Sequence, residues 1–288
     1  MDNESILLYA VKAFAAFIRA LPEPVAFFIG RSIGWLGYVF NQRHRSIAYA
    51  NLKIAFAREK KSNEIKRILK KAFMNYGENL IELLRFPVID PQKYIKVEGR
   101  EHVEEAIAKK QGIIFLAMHF GSWELCNFIP QLFNHPYNVI VNPQKRYAKL
   151  NDLLDSYRQK VGSRILIPGS GAREFIKSLK NGEMVGMVVD QGGKEGNLIK
   201  FFGRDSSMSI GAIKMGLKLN VAVCFCVLIR EKGSYRHRLV IQPPLKLKKN
   251  GNIEEDIDNA LRGVVVDMER YIKQYPSEYM WFYKIWKY

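Results

Sequence analysis

His119 and Glu124 are the residues of this chain whose types and spacing best suit chemistry. They lie in Met118-His119-Phe120-Gly121-Ser122-Trp123-Glu124, where an unbroken apolar run ends at the histidine and the acid follows after four other residues. On one straight helix, positions five apart point roughly 140° away from each other, so the pair would not meet. A strand over residues 113–118, a turn at Phe120 and Gly121 and a helix opening near Ser122 allow Glu124 to fold back towards His119. The meeting point is then the carboxyl end of a strand, where open α/β sheets place their ligands. An imidazole held by a carboxylate keeps one tautomer, gains basicity at its free nitrogen and can take a proton from an attacking hydroxyl. A histidine beside an acid at a strand end is also the mark of a structural polar pair, and spacing alone favours that plainer reading.

A second acid, Asp190, closes the apolar run 184–189 and is followed by Gln191-Gly192-Gly193. It ends its strand as His119 ends its own, so the two are expected on one edge of the sheet. An acid followed by two glycines equally suits an ordinary turn. Arg158, within a helix expected over 149–161, reads by residue type as a solvated helix charge.

The elements that must position these groups alternate. Strands are expected over 94–98, 113–118, 137–141, 164–167, 184–189 and 221–229, with a return strand over 236–241. Helices are expected over 101–110, 123–132, 149–161 and 172–179, and from 253 towards 271. Strands alternating with helices imply an α/β fold with a mostly parallel central sheet covered by helices. Before them, from 41 to 85, apolar residues such as Ile65, Ile68, Leu69, Ala72, Phe73 and Tyr76 recur at three- and four-residue steps, the period of amphipathic helices. No repeat, low-complexity tract or linker divides residues 41–288, which are expected to form one domain.

Residues 5–40 are unusually apolar, interrupted by Lys12, Arg19, Glu23, Arg31, Pro22 and Pro24. No small-residue cleavage site follows a short apolar core, so no removable signal peptide is expected. No run approaches the ~20 residues that span a bilayer, yet Lys12 and Arg19 fall on nearly one helical stripe. Residues 1–40 are therefore expected to be an apolar helical membrane-attachment segment, lying in the interface with its cations at head-group level. Helices packed on the domain itself, or a tilted span with a snorkelling Lys12, are the alternatives.

With 288 residues, 48% of them hydrophobic, the chain has ample material for a packed core, which argues against disorder. A net charge of +17 calls for anionic partners: nucleic acid, phospholipid head groups, phosphorylated glycolipids or an acidic protein. Cys126, Cys224 and Cys226 form neither a disulfide framework nor a metal-ligand spacing. Core packing in a reducing compartment is their expected role.

The stretch His119-Phe120-Gly121-Ser122-Trp123-Glu124 resembles the histidine, four residues, acid motif of glycerolipid-type acyltransferases, and in particular that of the late acyltransferases of lipid A biosynthesis. Asn51-Leu52, Ala55-Phe56 and Phe73-Met74-Asn75-Tyr76-Gly77 are similar to the same family, as are Asp190-Gln191, Phe201-Phe202-Gly203, Ser209-Ile210-Gly211 and Pro276-Ser277-Glu278-Tyr279-Met280-Trp281. The resemblance covers most of residues 43–288. It implies transfer of a fatty acyl chain from acyl carrier protein to a hydroxyl of a lipid A precursor, at the cytoplasmic face of the inner membrane. His119 would be the base and Glu124 its orienting acid, with Gly121, Arg158, Asp190 and Gln191 in the substrate site. One departure is Asn142-Pro143-Gln144, where related sequences often carry an arginine. Here the next cations are Lys145 and Arg146, and Arg146 is the candidate contact.

This chemistry requires no metal or cofactor. No Gly-x-Ser-x-Gly elbow is present, and Ser122 reads as a helix cap rather than a nucleophile, so direct attack without an acyl-enzyme is expected. An acylase of another lipid, such as a glycosylated phosphatidylinositol or a lysophospholipid, is the nearest rival. A non-catalytic basic membrane-surface protein would also explain the charge and the apolar ends. Nucleic acid is not an expected partner, because no Gly-rich RNA motif, zinc spacing or recognition helix accompanies the basic charge.

Overall fold

The computed structural model describes residues 2–142, 147–169, 171–193, 196–247 and 251–286. Four long helices come first: α1 (Asn3–Ala20), α2 (Glu23–Phe40), α3 (Gln42–Phe56) and α4 (Ser62–Arg85). Then follow α5 (Pro91–Tyr94), β1 (Ile95–Glu98), α6 (Arg100–Ala108), β2 (Ile113–Ala117), a 3-10 helix (Trp123–Phe128), α7 (Ile129–Phe133), β3 (Tyr137–Ile140) and α8 (Ala148–Lys160). The chain continues through β4 (Ser163–Leu166), α9 (Ala172–Lys180), β5 (Met184–Val188), β6 (Asn197–Phe201), β7 (Arg204–Met208), α10 (Gly211–Leu219), β8 (Ala222–Arg230), β9 (His237–Ile241) and α11 (Ile253–Gln274).

Seven strands form one sheet in the order β1-β9-β8-β2-β5-β3-β4. From β8 to β4 every pairing is parallel, while β9 runs antiparallel to β8 and β1 follows β9, so the sheet is mixed. The expected return strand is β9. Strand β2 lies near the centre and alternates its side chains between two buried layers. Ile114, Leu116 and Met118 join one core with residues of α9, α10, α11 and the C-terminal segment, whereas Ile113 and Phe115 join another with α6, α7 and α8. Both faces are covered, as a parallel sheet requires.

Residues 1–40 do not form the expected membrane-attachment segment. Among the described residues no helix is long and apolar enough to cross a membrane, and α1 and α2 spend their inward faces and their cations on the rest of the chain. Helix α2 packs closely along α4: a Cβ placed on Gly34 would come 2.2 Å from the Phe73 carbonyl oxygen, and one on Gly77 would come 2.0 Å from that of Gly30. Arg19, expected at head-group level, donates from Nε to the Leu84 carbonyl at 2.7 Å and stacks over the Tyr157 ring. Arg31 pairs with Glu78 of α4. In return Arg85 donates to the carbonyls of Ile18 and Leu21 at the end of α1, and Lys149 of α8 holds Asp2 at its start.

Two elements are absent from the periodicity reading. The hairpin β6–β7 forms a separate two-stranded sheet, and α10 follows it. The expected helix at 123–132 begins instead as a tight 3-10 turn before α7.

Candidate active site

Strands β2 and β5 are parallel neighbours with Ala117 beside Val188, so the residues just beyond their carboxyl ends are brought together. His119 and Asp190 meet there. The Asp190 Oδ1 lies 2.8 Å from His119 Nδ1, and its Oδ2 accepts from the His119 backbone N–H at 3.0 Å. Two contacts to one carboxylate fix both the ring and the turn that carries it. Because a carboxylate only accepts, Nδ1 carries the proton and Nε2 presents a lone pair.

A chain of phenols supports the acid from behind. Tyr283 donates to Asp190 Oδ2 at 3.1 Å, and the Tyr279 and Tyr283 hydroxyls are 2.7 Å apart. Burial alone would lower the His119 pKa, but the Asp190 carboxylate, by charge and by hydrogen bond, and the charge of Glu124 outweigh it and hold it above the ordinary imidazole value. Burial likewise works to raise Asp190, yet His119 and the Tyr283 hydroxyl hold it below the ordinary carboxylate range.

Glu124 does not take the place expected for it. Its carboxylate grips Arg158 in a two-toothed pair, accepting from Nε at 3.0 Å and from Nη2 at 2.7 Å, and Arg158 Nη1 donates to Asp155 at 2.7 Å. The 3-10 turn at Trp123 points the acid at α8 rather than back at the imidazole. Glu124 acts on His119 through space, and Asp190 makes the direct contact. Arg158 is buried with all three guanidinium nitrogens already donating, which is not the free anion-binding cation that a solvated helix position suggests.

Gly121 earns its place by backbone geometry. Its φ is +56°, and a Cβ there would lie 1.8 Å from the Leu228 carbonyl oxygen of β8. Its N–H donates to the Glu278 carbonyl at 2.9 Å, while Met280 N–H donates to the His119 carbonyl at 3.0 Å, so the C-terminal segment pairs with the His119 turn on both sides. Asn79 of α4 donates to the Gly121 carbonyl at 2.6 Å. Ser122 caps no helix with its side chain; its hydroxyl donates to the buried Glu82. Glu82 also takes hydrogen bonds from Arg230 and His237. Burial would raise its pKa, but the Arg230 charge and the hydrogen bonds from Arg230 and His237 hold it down at about 2.

Gln191 borders the site, but its Nε2 is 3.5 Å from His119 Nδ1, too far for a sound hydrogen bond. Lys145 and Arg146 lie outside the described residues. His119, Trp123, Glu124, Arg158 and Gln191 all line one cavity of about 520 Å³, whose remaining walls come from α4, α8 and the inner faces of β2, β3, β5 and β8. Sequence reasoning missed Tyr283, Tyr279, Glu82, Arg230 and Asn79. The available signal was weak: Glu78 and Glu82 lie about one helical turn apart in α4, off its apolar stripe, and Arg230 ends an otherwise apolar strand.

The family model for bacterial lipid A biosynthesis acyltransferases matches residues 3–288. The chain belongs to this family, and it is an acyltransferase. Among its relatives is the lipid A biosynthesis palmitoleoyltransferase of Escherichia coli (strain K12), 24% identical over 93% of this chain and 86% of that protein. The lipid A biosynthesis lauroyltransferase of the same strain is 24% identical over 93% and 87%. A phosphatidylinositol mannoside acyltransferase of Mycobacterium tuberculosis (strain ATCC 25618 / H37Rv) is 22% identical over 52% of this chain and 50% of its own. In this lipid A acyltransferase family member the histidine of the motif thus sits at a strand end against a buried aspartate, beside a cavity with apolar walls.

Proposed function

We propose that this acyltransferase moves a fatty acyl chain from a thioester of acyl carrier protein to a hydroxyl of a lipid A precursor or similar membrane glycolipid, with His119 as general base. The observation that carries the reading is the His119–Asp190 contact, which commits Nδ1 and leaves Nε2 basic at the cavity. In the transfer, Nε2 takes the acceptor's hydroxyl proton as its oxygen bonds to the thioester carbonyl carbon. The carbon–sulfur bond then breaks and the imidazolium returns the proton to the departing thiolate. Asp190 holds the productive tautomer and the cation that forms. Glu124 stabilises that cation through space while anchoring Arg158, which stiffens the cavity wall. Gln191, at the mouth, is placed to donate to a substrate oxygen. Ser122, tied to Glu82, is not disposed to form an acyl-enzyme.

The acceptor assigns the enzyme to the cytoplasmic face of the inner membrane. A glycosylated phosphatidylinositol is the second acceptor reading, prompted by the mycobacterial relative. The near full-length matches to lipid A enzymes, against half-length matches to that one, favour lipid A. Mass spectrometry of membrane lipids from cells with and without the protein tests this. The lipid A fraction should gain one acyl mass when the protein is present, and a gain confined to phosphatidylinositol glycolipids would reverse the assignment.

A further inference from the structure

The cavity beside His119 runs down the inner face of the sheet, lined by alternate residues of three adjacent strands, among them Ala117 and Phe115, Val188 and Gly186, and Val139 and Tyr137. Moving from His119 to Phe115 descends four residues of β2, about 13 Å of strand. Phe115 and Val139 both stand level with Gly186, while Tyr137 starts one two-residue step lower, level with Met184. Its ring rises from there. The Tyr137 hydroxyl lies so close over Gly186 that a Cβ on that glycine would be 1.9 Å from it. The phenol therefore crosses the slot at the Gly186 level, and only a residue without a side chain leaves room for it.

Three features mark this ring as a floor rather than ordinary packing. Tyr137 is 2% exposed and meets Phe115 edge to face, with ring centroids 6.2 Å apart, so the position is rigid. Its hydroxyl end sits against Gly186 on the cavity lining, so the ring reaches across the slot. The surrounding wall at this depth is apolar, with Cys126 and Cys226 on the cavity lining. A large ring held in this way closes the apolar slot at a set depth.

On the reading that the cavity takes a fatty acyl chain, we infer that Tyr137, seated on Gly186, is the residue that sets the length of the chain transferred. The terminal methyl of a chain of the preferred length stops against the phenol. One methylene more must displace a ring that has no free space behind it, and a shorter chain leaves the slot unfilled. Pocket discrimination of this kind is worth roughly tenfold or more per methylene.

The test offers the full-length enzyme an equimolar mixture of saturated acyl carrier protein thioesters that differ in steps of two carbons, with lipid A precursor as acceptor, and reads the products by mass spectrometry. Tyr137→Leu, which opens the floor, should move the preferred length at least one step longer, changing the ratio of the two neighbouring products roughly tenfold or more. Val139→Leu, which narrows the slot at the level where the phenol crosses it, should move it shorter. Tyr137→Phe, which keeps the ring, should retain the wild-type preference. If Tyr137→Leu fails to fold, Val139→Leu decides, since small apolar exchanges are tolerated in cores. An unchanged length profile in the folded variants overturns the inference while leaving the acyl-transfer reading intact. A wild-type enzyme that transfers no acyl chain at all overturns that reading, and the length inference falls with it.

Discussion

His119 and Asp190 form the pair on which the proposed chemistry depends, and they answer differently to substitution. His119→Ala should abolish transfer; it also leaves the buried Asp190 carboxylate without its ring partner, so melting should fall while circular dichroism keeps the wild-type fold. Asp190→Asn keeps the shape but releases the tautomer, and should lower kcat by roughly 10²- to 10⁴-fold. The pH profile separates the two effects. Asp190 holds the His119 pKa above the ordinary imidazole value, and the base must be neutral to act, so the acid limb of kcat/KM lies above that value. Loss of the Asp190 charge should move the limb to lower pH in Asp190→Asn. A limb that stays in place would mean that another group titrates. Glu124 and Arg158 share two hydrogen bonds, so Glu124→Gln and Arg158→Gln should be non-additive in a double-mutant cycle of activity. Additive losses would deny that the pair works as one unit. The sequence showed His119 at a strand end and Asp190 on the same edge, because apolar runs mark strand ends. It misassigned the partner. Which acid reaches the imidazole depends on β2 and β5 being neighbours and on a 3-10 turn at Trp123, and neither leaves a mark in residue spacing.

At the level of elements, the seven strands of the main sheet and helices α6, α8, α9 and α11 were legible because their apolar residues follow a period of two or of three to four. The hairpin β6–β7 was not, since Asn197–Phe201 and Arg204–Met208 mix charged and apolar residues on an exposed edge. The packing of α1 and α2 on α4 was also misread. Their apolar character is used in part for close backbone approach at Gly30, Gly34 and Gly77, and composition cannot distinguish that use from burial in lipid. Helix α4 ties these helices to the site through Glu78, Asn79 and Glu82. Glu82→Gln keeps the volume but leaves the buried Arg230 guanidinium with only the longer 3.4 Å carboxylate contact, to Glu78. Breaking a buried pair in this way costs about 3–5 kcal/mol, so the variant should melt well below wild type in a calorimetric comparison. An unchanged melting temperature would show that the network contributes nothing to the fold.

For the molecule as a whole, the C-terminal segment closes the site, and one of its acids stores a pH dependence. Burial lifts the Glu278 carboxyl from 4.5 to about 7, with Glu78 and Glu82 adding to the effect, and its Oε2 has no partner. Between those values the folded state holds a proton that the unfolded chain has lost, so folding stability falls as pH rises across that window. Glu278→Gln should flatten this decline and raise the melting temperature at neutral pH, and denaturation series at several pH values would show whether it does. The net charge of +17 fits the proposed acidic donor, although Lys149 is committed to Asp2 and Ser5. The measurement that bears most directly on the central claim uses purified wild-type and His119→Ala enzyme with acyl carrier protein thioester and a phosphorylated glycolipid bearing free hydroxyacyl chains. Product mass is followed over time. Wild type should add one acyl chain to the glycolipid and His119→Ala none, with both proteins equally folded; transfer by His119→Ala at the wild-type rate would contradict the mechanism.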